Sequence, residues 1–318
     1  MLNKTIAKIF AFVILVFLSV GLLLSCGNAK SNERERPDVD QVQSTYQEPK
    51  ITGRIKSKDI VESSGLAGSK CQAGVFWTHN DSGDAAQIFA IDAAGNDLGT
   101  WKVNGAENRD WEDIAAFKDT SGQCFLYIGE IGNNEGKRDR TLIYRVKEPT
   151  IAGGVSSSGK NPLPTEKAES LSIDFPGIRP NSEALLVHPG TGDIYIVTKN
   201  LEPPASVFKI TPRFGETAAV KAKKLGEITV PAILGGLLTG GDISADGRRL
   251  VLCDYVAGYE LVLPDGAVNF DYIWNQKPVK FDIGDRRDGE AVTYSADGSS
   301  VFAISEGKNQ PIFETRRR

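Results

Sequence analysis

Glu290-Ala291-Val292-Thr293-Tyr294-Ser295-Ala296-Asp297-Gly298 reads as an acid leading into a short apolar strand that closes on an Asp-Gly hairpin turn. The same turn stands 51 residues earlier as Ser244-Ala245-Asp246-Gly247, behind Gly241-Asp242-Ile243. Upstream lie three more openings of this kind: Ser64-Gly65-Leu66, Glu112-Asp113-Ile114 and Glu183-Ala184-Leu185. The aliphatic anchors of the five copies are 48, 71, 58 and 49 residues apart. A strand, a turn and a second strand recurring at that interval predict an all-β fold, a β-propeller with five blades.

The strands between the anchors fit blades of four. Blade one is expected at 63–67, 75–79, 87–92 and 98–103, and blade two at 111–117, 125–130, 141–146 and 169–175. A Gly, Ser and Pro-rich insertion at 152–164 accounts for the long second interval. Blade three is expected at 184–187, 194–198, 207–210 and 224–229, and blade four begins at Asp242. Blade five runs out of chain after 311–315, so an extended segment at 51–59 is expected to complete it and close the ring, removing exposed strand edges. Six blades are the alternative if the insertion or residues 231–238 contain strands.

The N-terminus resembles a bacterial lipoprotein signal peptide. Lys4 and Lys8 precede an apolar run at 9–24, and Leu23-Leu24-Ser25-Cys26 ends it. This predicts a signal peptide over 1–25, with cleavage before Cys26 and acylation of that cysteine. A transmembrane anchor is the competing reading. Residues 26–50 are polar and read as a tether, leaving 51–318 for the propeller. The protein is therefore expected to be exported and lipid-anchored to the cell envelope, at the outer membrane where one exists. Export permits disulfides, and Cys71 and Cys124 precede the second strands of adjacent blades, so they are a candidate pair, with buried free thiols as the alternative.

Net charge is −4 and basic residues are scattered, which gives no footprint for nucleic acid. P-loop, dinucleotide and Gly-x-Ser-x-Gly motifs are absent. Propeller topology brings the loop before each first strand and the loop after each second strand to one end. Glu62, Asp110, Glu112, Glu183, Asp288 and Glu290 should meet His79, Asn80, Asp81, Lys199, Asn200, Glu306 and Lys308 there. Carboxylates crowded on one axis repel by about 2 to 4 kcal/mol per close pair at an effective dielectric near 20. A cation would offset this. Oxygen ligands favour Ca²⁺, and with His79 and His188 the only histidines, a multi-histidine zinc site is excluded. Water, protonated carboxyls or salt bridges to Arg109, Arg286 and Arg287 are the alternatives.

The acid-led strands, with Asn80-Asp81-Ser82-Gly83-Asp84 and Ile88-Phe89-Ala90-Ile91-Asp92-Ala93-Ala94-Gly95 after the first, resemble the phytase-like and regucalcin- or NHL-type propellers of exported bacterial proteins. The resemblance implies that Glu112, Glu183 and Glu290 face a Ca²⁺, with Asn80, Asp81 and Asn200 as further ligands. It also implies hydrolysis of phosphate esters or lactones. Ser64 and Gly241 break the acid series. In an enzyme, Glu183 or His79 would activate water while Lys199, Arg140 and Lys308 hold an anionic substrate. The competing function is a non-catalytic propeller that binds envelope proteins or glycans.

Overall fold

A computed structural model describes residues 45–138, 140–152 and 156–318. Cys26, the signal segment and residues 26–44 of the tether lie outside the described residues. After β1 (Lys50–Arg54), the first blade is built from β2 (Ser63–Gly68), β3 (Val75–Asn80), β4 (Gln87–Asp92) and β5 (Asp97–Lys102). The second uses β6 (Trp111–Lys118), β7 (Cys124–Glu130) and β8 (Thr141–Lys147) and, beyond the two-residue β9 (Leu163–Pro164), β10 (Glu169–Asp174). The third comprises β11 (Ser182–Val187), β12 (Ile194–Thr198), β13 (Ala205–Ile210) and, beyond β14 (Val220–Lys221), β15 (Lys223–Ile228). In the fourth, β16 (Gly240–Ile243), β17 (Arg249–Cys253) and β18 (Gly258–Val262) are followed by a 3-10 helix (Phe270–Asn275) and β19 (Val279–Phe281). The fifth has β20 (Gly289–Tyr294), β21 (Ser300–Ser305) and β22 (Pro311–Arg316), and β1 pairs antiparallel with β22 as its outer strand.

Five sheets thus make a five-bladed propeller. Each of five hydrophobic clusters lies between two neighbouring blades. Trp77, Ile88 and Trp101 of the first meet Trp111, Leu126 and Ile128 of the second. Tyr127 and Ile143 meet Leu185 and Ile196, and Tyr195 and Val207 meet Leu252 and Tyr259. Val251 and Phe281 meet Val292 and Tyr294, and Phe302 and Ile304 return to Leu66 and Phe76 of the first blade. Burying such a side chain contributes about 1.5 to 3 kcal/mol, so blade-to-blade packing is the main cohesion of the ring.

Polar bonds tie the inner strands across blades. Leu185 N–H of β11 donates to the Asp113 carboxylate of β6 at 2.9 Å, and Tyr294 N–H of β20 donates to Asp242 of β16 at 3.0 Å. Asp113 is fully buried, and burial pushes its pKa well up against the backbone N–H groups of Leu185 and Ile114 that hold it down.

Two features differ from the sequence reading. The insertion contributes β9, which joins β5 in parallel as an extra outer strand of blade one, and β14 joins β10 in the same way. Blade edges are open to such short additions, and Pro164, with no N–H, is compatible with an edge. The folded body also begins before residue 51. Tyr46 is 3% exposed, stacks on Phe281 at 4.1 Å and donates its hydroxyl to Glu260 at 2.6 Å. A disulfide joins Cys71 to Cys124, linking blades one and two, and Cys253 is buried and free.

Candidate functional site

In four of the five blades the first strand slips register by one residue against the second, the signature of a β-bulge. The slips fall between Ser63 and Gly65, Trp111 and Asp113, Ser182 and Ala184, and Gly289 and Ala291. The residues in the slips are Ser64, Glu112, Glu183 and Glu290. The polar lead-in of each repeat is therefore the extra residue, a position that re-aims its side chain away from the strand's ordinary alternation. Blade four pairs without a slip, and its equivalent residue, Gly241, has no side chain to offer.

The three glutamates converge electrostatically. Burial raises the Glu112 pKa well above the carboxylate range, and Glu183, Asp81, Asp110 and Glu290 raise it further. Burial likewise pushes Glu290 up to about 9, helped by Glu183 and Glu306 and opposed by Lys199. Glu183 is raised by burial, while Lys199 holds it down. Lys199 Nζ lies 2.8 Å from Glu183 and 3.7 Å from Glu290, and 5.1 Å from the centre of the Tyr255 ring. Burial alone would depress the ammonium, but Glu183, Tyr255 and Glu290 prevail and hold it above the ordinary lysine value.

Beside this pair lies a cluster without a counter-ion of comparable closeness. Carboxylate oxygens of Asp81, Asp110 and Glu112 lie within 4.8 Å of one another. A Ca²⁺ ion takes oxygen ligands at about 2.3 to 2.6 Å, so one ion could reach all three. Glu112 is 3% exposed, and its carboxylate faces those of Asp81 and Asp110. Oδ1 of Asp81 is also buried without a partner. Burial raises both Asp81 and Asp110, with Arg138 pulling each down. Arg138 sits 3.4 Å from Asp110 and donates to Glu130. Gly132 closes the cluster, since a Cβ there would fall 2.0 Å from Glu112 Oε1 and 2.5 Å from the Asp110 carboxylate.

Several sequence expectations need correction. Asn80 does not face the mouth as a ligand: its Oδ1 accepts from Val61 N–H at 3.0 Å and Glu62 N–H at 3.2 Å, and its Nδ2 donates to the Asp59 carbonyl and to Asp84. Asn200 Nδ2 donates to the Pro204 carbonyl at 2.6 Å, which leaves its ligand role untouched. His79 is fully buried edge-on to Trp111, with Nδ1 3.0 Å from the Asn80 carbonyl. Burial lowers it to about 4, against the Asn80 and Asp113 backbone groups, so it is a packing residue and not a base presented to substrate. Lys199 pairs with Glu183, which gives Glu183 a counter-ion of its own. Lys308 is exposed on the loop after β21, and Arg140 is exposed in a cleft on blade two. Asp110 belongs to the acid cluster, and sequence reasoning left it out of the metal set. Its signal was its place two residues before Glu112 in Asp110-Trp111-Glu112-Asp113.

Compared with known proteins, the chain matches no family model and no curated protein.

Proposed function

We propose that this protein is a cation-binding β-propeller, tethered to the cell envelope through Cys26, whose channel mouth holds Ca²⁺ between Asp81, Asp110 and Glu112. The observation that carries the reading is the Glu112 carboxylate, buried and facing two further acids, one of which, Asp81, has a buried Oδ1 without a partner. Keeping three such crowded carboxylates ionised is costly, and a hard divalent cation supplies the missing charge. Glu183 and Glu290 border the site with Lys199 as their own counter-ion.

Titration of the chelator-treated protein with Ca²⁺, or with Tb³⁺ as a luminescent stand-in, tests it. Saturable binding that raises the melting temperature and is lost in Glu112→Gln is expected. An unchanged melting temperature with Ca²⁺ and with chelator would overturn the reading.

A second reading, cation-assisted hydrolysis of a phosphate ester, is favoured by Arg138, which brings a guanidinium to 3.4 Å from Asp110. A cation polarises a phosphoryl oxygen and a neighbouring guanidinium stabilises the charge that develops. Turnover of phosphomonoesters or phosphodiesters by wild type but not by Glu112→Gln is its expected result. Equal inactivity of the two leaves the propeller a binding module.

A further inference from the structure

We propose that a cleft on the flank of blade two, adjoining the three-carboxylate cluster through Arg138, binds a phosphate- or sulfate-type oxyanion. The cleft encloses about 560 Å³, in the range of small-ligand pockets, and Arg109, Arg138 and Arg140 line it with Tyr144 and Ser170. Glu107 and Glu130 line it as well, so three guanidiniums face two carboxylates and the lining is net positive in a chain of net charge −4.

The three arginines are committed to different degrees. Arg138 is braced from beneath: it donates to Glu130 at 2.5 Å, and Glu130 also accepts the Arg109 backbone N–H at 3.0 Å. A guanidinium has five N–H donors, so a braced Arg138 still has donors to offer. Arg109 lies in an exposed pair with Glu107 at 2.7 Å, and water screens an exposed pair of this kind strongly. An incoming anion can therefore replace Glu107 at little cost. Arg140 is exposed and pairs with no described residue. Two parallel N–H groups of a guanidinium match two oxygens of a tetrahedral anion, a geometry that neither an ammonium ligand nor a neutral sugar can use. The volume exceeds what one inorganic anion fills, which favours a phosphate or sulfate ester over the free ion.

The test is calorimetric titration of the chelator-treated full chain with inorganic phosphate, inorganic sulfate and glycerol 2-phosphate. Saturable binding is expected, tightest for the ester, and weakened at least tenfold in Arg140→Ala. Lys277→Ala, which removes an exposed cation on blade four, should bind as wild type does. Equal binding of free phosphate and ester would support the site with the free anion as its ligand. No binding by wild type at millimolar anion, or equal losses in Arg140→Ala and Lys277→Ala, would overturn the proposal. If Ca²⁺ fails to bind while Arg140-dependent anion binding persists, only the cation reading falls.

Discussion

Lys199 Nζ lies 2.8 Å from the Glu183 carboxylate, joining the end of β12 to the bulge of β11. Both side chains are largely withdrawn from water, at 15% and 2% exposure. Removing one partner of such a pair leaves a buried charge uncompensated, which costs about 3 kcal/mol or more. Lys199→Met should therefore lower the unfolding free energy by about that amount in urea denaturation. The double variant Lys199→Met/Glu183→Gln should recover most of the loss, since the stranded carboxylate is gone. A double variant no more stable than Lys199→Met would show that the lysine acts through packing instead.

Glu290 should make the chelator-treated protein less stable in alkali. Its carboxyl titrates at about 9 in the folded protein against an ordinary value of 4.5. Between those values the folded state keeps a proton that the unfolded chain has released. Its contribution is therefore full below pH 4.5 and is lost as pH rises through about 9. His79 works in the opposite sense, contributing stability above 6.5 that is lost as pH falls through about 4. The window from pH 6.5 to 9 thus excludes His79, and the Glu290→Gln comparison separates Glu290 from Glu112, Glu183 and Asp113, which burial also raises. Unfolding free energy should decline across it in wild type and decline less in Glu290→Gln. Identical slopes would remove Glu290 as the proton's holder.

Gly132 should be required by the cation and not by the fold. A Cβ at this position would lie 2.0 Å from Glu112 Oε1, so Gly132→Ala must displace the carboxylates that face one another across the cluster. The atoms met are the ends of flexible side chains, which can swing aside. We expect Gly132→Ala to weaken Tb³⁺ binding at least tenfold while moving the chelated protein's melting temperature by no more than a few degrees. Undiminished Tb³⁺ affinity would place the cation elsewhere.

The blades were legible because each repeat carries its own signal: an aliphatic anchor, a turn and a second apolar run. Val292 with Asp297-Gly298 and Ile243 with Asp246-Gly247 are enough to set two inner hairpins. The convergence of Glu112, Glu183 and Glu290 followed from the ring, because equivalent positions of different blades share one mouth. Which acids keep a counter-ion was not legible. Lys199 and Glu183 are 16 residues apart and Arg138 and Asp110 are 28 apart, and these pairings depend on loop paths that no periodicity records. The burial of His79 against Trp111 was hidden for a related reason. A histidine at a strand end looks the same in sequence whether the next blade covers it or leaves it open.

The Cys71–Cys124 bridge should hold the first two blades together beyond what their apolar contact supplies. It closes a loop with a sequence separation of 53, for which chain-entropy reasoning gives about 4 kcal/mol of stabilisation. Cys71 is exposed while Cys124 is buried at the start of β7, so reductant can approach the bridge from the Cys71 side. Cys71→Ser/Cys124→Ser should unfold at lower urea, with a loss approaching that figure, and reductant should produce the same shift in wild type. Reductant should leave the double variant unmoved, because Cys253 is the other cysteine among the described residues and is buried. A double variant as stable as wild type would mean that the interface around Trp77, Trp101 and Trp111 already constrains the two blades without the bridge.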